Sequence, residues 1–406
     1  MDKIRLWLIS RYQLIVSSIA FLPGVLSISF LILAGALFLF DVSETGQQFK
    51  IDFPWLNIKD PSTARSILGA IAGGVISLTV FSFSMVMIVL NQAASQMSNR
   101  ILDKLIGNRF QQIVLGVYIG TIVYTFFMFS TIRDTGNSFQ IPSLSIFILT
   151  VITVFDIFIF IYFLHFITQS VKYDVIIDRI ESATFEGMKR FCNAETEVKE
   201  DAKFVYHTVI RASKSGVFEG FDTKEIMDFC EENECSILAI YPMGTFIIRG
   251  QPILKCSQKL SEIQMENALQ GVILSRQESV IRNYEYGLRQ LSEIALKALS
   301  PGINDPGTAI ISFRAIIDLF GFRAAHFPPS TQNRGGNSYM LYRNEHSFDA
   351  LFERVVYPIW DYGKEDRMLR NEFKLLLEQL ALIIASPPLF KLLELVDKKI
   401  ASESPN

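Results

Sequence analysis

Four runs of about 20 or more mostly apolar residues fill the first 170 positions of this 406-residue chain, and they decide its fold class before any other feature. A helix rising 1.5 Å per residue needs about 20 such residues to cross the ~30 Å hydrocarbon layer. Residues 14–40, 67–90, 113–132 and 144–167 each qualify. The excess of apolar residues, 50% of the chain with a mean hydropathy of +0.30, is concentrated there. The remainder reads as an ordinary globular sequence. Lys3, Arg5 and Arg11 before the first run resemble the start of a signal peptide. That run is too long for one, and no small-x-small cleavage site closes it before Asp41, so a retained helix is expected.

Basic residues near the helix ends set the orientation. Lys3, Arg5, Arg11, Arg100, Lys104, Arg109, Lys172 and Arg179 fall on one side. Lys50, Lys59, Arg65 and Arg133 fall on the other, diluted by Asp41, Glu44, Asp52 and Asp60. The richer side is expected to be cytoplasmic, with both termini inside. Phe53 and Trp55 in the first outer loop suit a membrane surface.

The second helix is the most informative. Asp60-Pro61 pairs an N-cap acceptor with a proline at the first helical position. No breaker follows until Gly107-Asn108, which predicts a helix over 61–106 about 70 Å long with a cytoplasmic extension. One face carries Gly73, Ser77, Phe81, Ser84, Ile88, Asn91 and Ser95. A small, polar stripe in a membrane helix has two explanations. It serves close helix packing, or it lines a water-filled path with Phe81 or Ile88 as an apolar constriction. Asp156, near the middle of the fourth run, is a candidate for an intramembrane functional charge. Its alternative is a structural carboxyl satisfied by Thr121, Tyr124 or Ser77. His165 reads as an interfacial residue.

Residues 171–258 are expected to hold a connecting helix (173–190) and a small β-rich module, with 236–241 and 245–249 forming a hairpin around Pro242-Met243-Gly244. A helix is expected between strands over 222–233. Residues 259–406 read as helical. One helix runs from 260 to 299 and ends at Ser300-Pro301-Gly302, another restarts at Asp305-Pro306, and a loop covers 326–344. A last amphipathic pair, about 347–361 and 365–386, closes the domain before Pro387-Pro388. Asn304 and Asp305 form a ligand-binding or purely structural turn.

No phosphate-cradling loop, paired-histidine zinc helix, nucleophile elbow or dinucleotide fingerprint is present, so no enzymatic activity and no cofactor is expected. Cys192, Cys230, Cys235 and Cys256 lack metal-ligand spacing and read as reduced structural thiols. A net charge of −3 points to no nucleic-acid partner.

Ser95-Gln96-Met97-Ser98-Asn99-Arg100, Gln112-Ile113-Val114-Leu115-Gly116 with Gly120-Thr121, and Ala298-Leu299-Ser300-Pro301-Gly302-Ile303-Asn304-Asp305-Pro306 with Thr308-Ala309 span most of the chain. In these segments it resembles the bacterial predicted membrane proteins known as domain of unknown function 2254. The resemblance implies a bacterial inner-membrane protein with a two-part layout; it carries no activity with it.

The expectation is therefore an α-helical integral membrane protein of four transmembrane helices with a C-terminal cytoplasmic α+β domain. Its functional form is expected to be a channel-like homo-oligomer in the lipid bilayer, passing a small ion or solute. A membrane-anchored scaffold or sensor is the alternative, and a membrane enzyme using Asp156 is a third reading.

Overall fold

The structure, a computed structural model, describes residues 20–58, 60–96, 109–132, 141–170, 172–194, 205–276, 278–280, 282–333 and 339–403. The chain divides into two compact units, Met1–Lys172 and Tyr173–Asn406.

Unit 1 contains α1 (Phe21–Val42), α2 (Glu44–Asp52), a 3-10 turn (Pro54–Leu56), α3 (Pro61–Gln96), α4 (Arg109–Thr131) and α5 (Ser143–Ser170). Helices α1, α3, α4 and α5 are long and apolar enough to span a bilayer. The start of α3 follows the sequence signal: the Asp60 carboxylate accepts hydrogen bonds from the Ser62 and Thr63 amides at 3.2 and 3.0 Å, and Pro61 lacks only an amide the helix would not use. The 36 residues of α3 rise about 54 Å, still well beyond the hydrocarbon thickness. The expected continuation to residue 106 lies outside the described residues.

Helix α4 is the hub, packing against α1, α3 and α5. Gly116 and Gly120, one turn apart, let α1 approach its backbone. A methyl group on Gly116 would sit 3.0 Å from Pro23 Cα, and one on Gly120 2.7 Å from Phe30 Cγ. Dispersion and close packing hold membrane helices together because hydrocarbon gives no hydrophobic drive between them.

At the opposite end of the bundle from α4's first turn, Asp41 locks three elements. Its side chain is fully buried and pairs with Lys50 Nζ at 2.6 Å. It also accepts from the Ser145 amide at 2.7 Å and the Ser145 hydroxyl at 2.5 Å, at the start of α5. Lys50 donates onward to the carbonyls of Asp41 and Ile141. A carboxylate is favoured there because the first amides of α5 have no intrahelical acceptors.

Unit 2 runs α6 (Tyr173–Phe191), β1 (Thr208–Arg211), β2 (Gly216–Phe221), α7 (Thr223–Glu232), β3 (Ile237–Ala239), β4 (Phe246–Ile247), β5 (Pro252–Cys256), α8 (Glu262–Gln270), β6 (Val272–Ser275), α9 (Tyr284–Ala298), α10 (Pro306–Ala325), β7 (Thr331–Gln332), β8 (Leu341–Tyr342), α11 (Phe348–Gly363), α12 (Arg367–Ala381) and α13 (Pro387–Glu403). The strands form a sheet ordered β1-β5-β3-β8-β7 and another ordered β4-β2-β6. All pairs are antiparallel except β3–β8. Phe218, Ile226, Phe229, Ile237, Leu254 and Leu341 share one core with both sheets and α7. A second, aromatic core joins α10, α11 and α12: Phe313 stacks on Phe373 at 3.9 Å, and Phe320 meets Phe348 and Phe352 edge-on at 5.4 Å.

Four expectations need correction. Residues 236–241 and 245–249 do not form a hairpin: β3 joins the five-stranded sheet and β4 the three-stranded one. Gly244, at φ +82°, turns the chain between sheets rather than back on itself. The 260–299 stretch is two helices separated by β6, a short apolar strand that completes the smaller sheet. The 326–344 loop contains β7 and β8, so strands from beyond residue 258 contribute to both sheets. Pro387-Pro388 does not close the domain; Pro387 opens α13, as proline tolerates the first helical turn.

Candidate functional site

On α3, Gly73, Ser77, Phe81, Ser84, Ile88 and Asn91 are all exposed on the surface of the single chain. The side chain of Ser95 lies outside the described residues. At about 100° per residue, Gly73, Ser77, Ser84, Ile88 and Asn91 fall within a sector of roughly 60°, with Phe81 just beyond it. Among the described residues, nothing outside α3 lies within 4 Å of where a Gly73 or Gly74 side chain would begin. The Ser77 hydroxyl donates back to the Gly73 carbonyl at 2.8 Å. The adjoining sector holds Ile76, Val80, Phe83 and Met87, also exposed and bulky, as a lipid-facing surface should be, with Phe83 and Met87 at the open side of an interhelical pocket. Helix α5 shows that ordinary lipid face without interruption, in Val154, Phe155, Ile157, Phe158 and Ile161. Phe81 is 55% exposed, and its ring meets Phe160 of α5 edge-on at 5.7 Å.

Asp156 faces the opposite environment. It is completely buried, and neither carboxylate oxygen accepts a hydrogen bond among the described residues. Of the three neighbours considered from sequence, Thr121 is within reach, but its hydroxyl donates to the Val117 carbonyl of its own helix at 3.0 Å. The Tyr124 hydroxyl is used by the Ser145 carbonyl, and Ser77 points away from the bundle. Near Asp156 lies Tyr118 of α4, fully buried and in electrostatic range. Tyr118 and Ser82 of α3 border a pocket of about 270 Å³ between α3, α4 and α5, otherwise lined by Phe83, Val86, Met87, Gln111, Gln112, Val114, Leu115 and Phe163.

In unit 2 the turn at Asn304 and Asp305 is a helix junction. Asn304 takes a left-handed φ of 50°. The Asp305 carboxylate caps α10 through the Thr308 amide at 3.1 Å and the Thr308 hydroxyl at 2.6 Å. Both its oxygens are thereby engaged within the turn.

A largely buried ionic network, with Arg343, Glu345 and His346 partly exposed, lies elsewhere in unit 2 and has no compact motif in the sequence. His346 Nδ1 donates to Glu285 at 2.8 Å from Oε2. Arg323, with no exposed surface, donates to the carbonyls of His326 and His346 at 3.3 Å and lies over the Phe327 ring. Glu345, Arg343, Tyr284 and Cys192 complete the cluster. Burial first, and then the like charge of Glu285, raise the Glu345 carboxyl to about 7, against the opposing pull of Arg343, His346 and Arg323. Burial likewise pushes the Cys192 thiol up to about 11. The residues are far apart in sequence. The usable signal was a charge at a core-periodic position: Phe313, Ile316, Phe320 and Arg323 share the buried face of α10. Among the described residues no group of three His, Cys, Asp or Glu is arranged to hold a metal. All four cysteines are buried and unbridged.

A family model described as "Predicted membrane protein (DUF2254)" matches residues 16–379. The chain belongs to this family. Among curated relatives, an uncharacterized protein of Mycobacterium tuberculosis (strain CDC 1551 / Oshkosh) is 26% identical over 263 residues, covering 62% of this chain and 50% of its own length. One from Mycobacterium bovis (strain ATCC BAA-935 / AF2122/97) is 25% identical with the same coverage. The chain thus spans about half the length of the curated relatives it matches. No solved structure matches it.

Proposed function

We propose that this DUF2254 protein is a homo-oligomeric, channel-like protein of the bacterial inner membrane, with both termini cytoplasmic. The α3 helices of neighbouring copies line a central path for a small ion or solute, and unit 2 forms a cytoplasmic vestibule or gating domain. One observation carries this: the small and polar sector of α3 faces out of the protomer, beside a separate bulky sector suited to lipid. No element among the described residues covers Gly73 or Gly74. Packing among the described residues therefore leaves the stripe uncovered, as contact between copies or exposure to water would require.

Phe81 tests the proposal. A ring of phenyl groups excludes water from a narrow path, so Phe81→Ser should raise ion leak from reconstituted liposomes. With half its ring uncovered, the substitution should cost less stability than the ~3–5 kcal/mol of a fully buried phenylalanine. A lowered melting temperature without added leak would favour the second function, a membrane-anchored sensor or scaffold. The buried ionic network of unit 2 speaks for that second function, since perturbed titratable clusters recur at functional sites.

A further inference from the structure

Asp156 has no role in a path lined by α3. An ionised carboxylate without a counter-charge in a membrane interior costs several kcal/mol, and such residues mark ligand or ion sites. A pocket on the Tyr118 side of the bundle, with Asp156 not in its wall, runs from Gln111 and Gln112, at the first turn of α4, to the hydroxyls of Ser82 and Tyr118. Both residues are at least nine-tenths buried. The two hydroxyls are within reach of each other, yet among the described residues neither makes a hydrogen bond of good geometry. Phe163 lines the pocket and lies two turns along α5 from Asp156, on the same buried face, so the carboxylate sits about 10 Å further along the helix. Tyr118 is the link between the two, bordering the pocket and feeling the Asp156 charge.

We propose that this pocket binds a compact lipophilic amine or ammonium ion, its apolar body among Phe83, Met87, Leu115 and Phe163 and its cationic nitrogen directed toward Tyr118 and Asp156. Among the described residues no pocket-lining side chain is basic, so the occupant supplies the positive charge. A lipid acyl chain would fill the apolar space but leave the carboxylate and both hydroxyls uncompensated. A hydrated metal ion suits the carboxylate but not walls of phenylalanine, leucine and valine. At about 270 Å³ the space lies at the small end of ligand pockets, which favours one or two fused rings over a long tail.

The test uses the full chain in lipid nanodiscs, with equilibrium dialysis at pH 7 against 1-naphthylmethylamine and its neutral isostere 1-naphthylmethanol; empty nanodiscs correct for partitioning. The amine should bind saturably and at least about tenfold more tightly than the alcohol. Asp156→Asn should remove that preference while leaving alcohol binding in place. Leu115→Trp, which fills the pocket, should abolish saturable binding of both, with melting curves confirming that each variant is folded. Equal affinities for amine and alcohol in the wild type would overturn the proposal, as would no saturable binding of either. If Asp156→Asn does not fold, the wild-type preference and its loss in Leu115→Trp decide the matter. Retention of amine binding in a folded Leu115→Trp variant would place the site elsewhere.

Discussion

Glu345 carries an expectation for the pH dependence of stability. Its carboxyl stands at about 7 in the fold, against 4.5 when unhindered. Below pH 4.5 folded and unfolded chains both hold the proton, and the contribution to stability is complete. As pH rises from there toward 7 the unfolded chain ionises first, and stability is lost across that window. Glu345→Gln cannot ionise. The variant should match the wild type near pH 4 and exceed it at pH 8 by an amount on the order of 3 kcal/mol. Thermal melts of solubilised protein at the two pH values check this, and parallel curves would refute it. Glu285, His346, Arg323 and Arg343 face the same carboxyl, so a change in any of them moves the window. Little of this network was legible beforehand. Residues 285, 323 and 345 approach one another only through the packing of α9, α10 and the segment after β8, and single-sequence periodicity carries no information on tertiary proximity. Asp156 was legible because a charge in a 28-residue apolar helix stands out in composition alone.

At the level of elements, length and periodicity revealed what is long and hid what is short. The four spanning helices follow from uninterrupted hydropathy, and α6 and α10 from periodicity and cap chemistry. Strand β6 has four residues and the polar helix α2 nine, too few for periodicity to separate from their flanks. The partners of β3 and β4 depend on sheet order, which a turn motif does not encode. The α1–α4 contact yields a paired prediction. Gly116→Ala drives a methyl group against the Pro23 backbone and Leu26 and should destabilise the bundle by about 1–3 kcal/mol. Gly35→Ala on α1 meets nothing within 4 Å among the described residues and should be neutral or slightly stabilising, since alanine is the better helix former. Thermal melts in one detergent compare them; equal shifts would remove the close contact as the cause.

For the whole molecule, the proposed orientation is open to direct labelling. Gln47 on α2 and Lys214 between β1 and β2 are exposed, and the native cysteines are all buried. In intact cells a membrane-impermeant thiol reagent should modify Gln47→Cys and spare Lys214→Cys until the membrane is opened; the reverse pattern would invert the topology. The sheet order has a separate consequence for biosynthesis. Ile237 of β3 pairs in parallel with Leu341 of β8, a partner that leaves the ribosome about one hundred residues later. All four membrane spans and most of unit 2 are translated before it exists. Until then β3 keeps one edge of unsatisfied amides and carbonyls, the kind of edge that recruits strands from other chains. Closing it is a late, non-local event in which loop entropy is spent before the contact forms, so this domain passes through its most aggregation-exposed state already tethered to the bilayer.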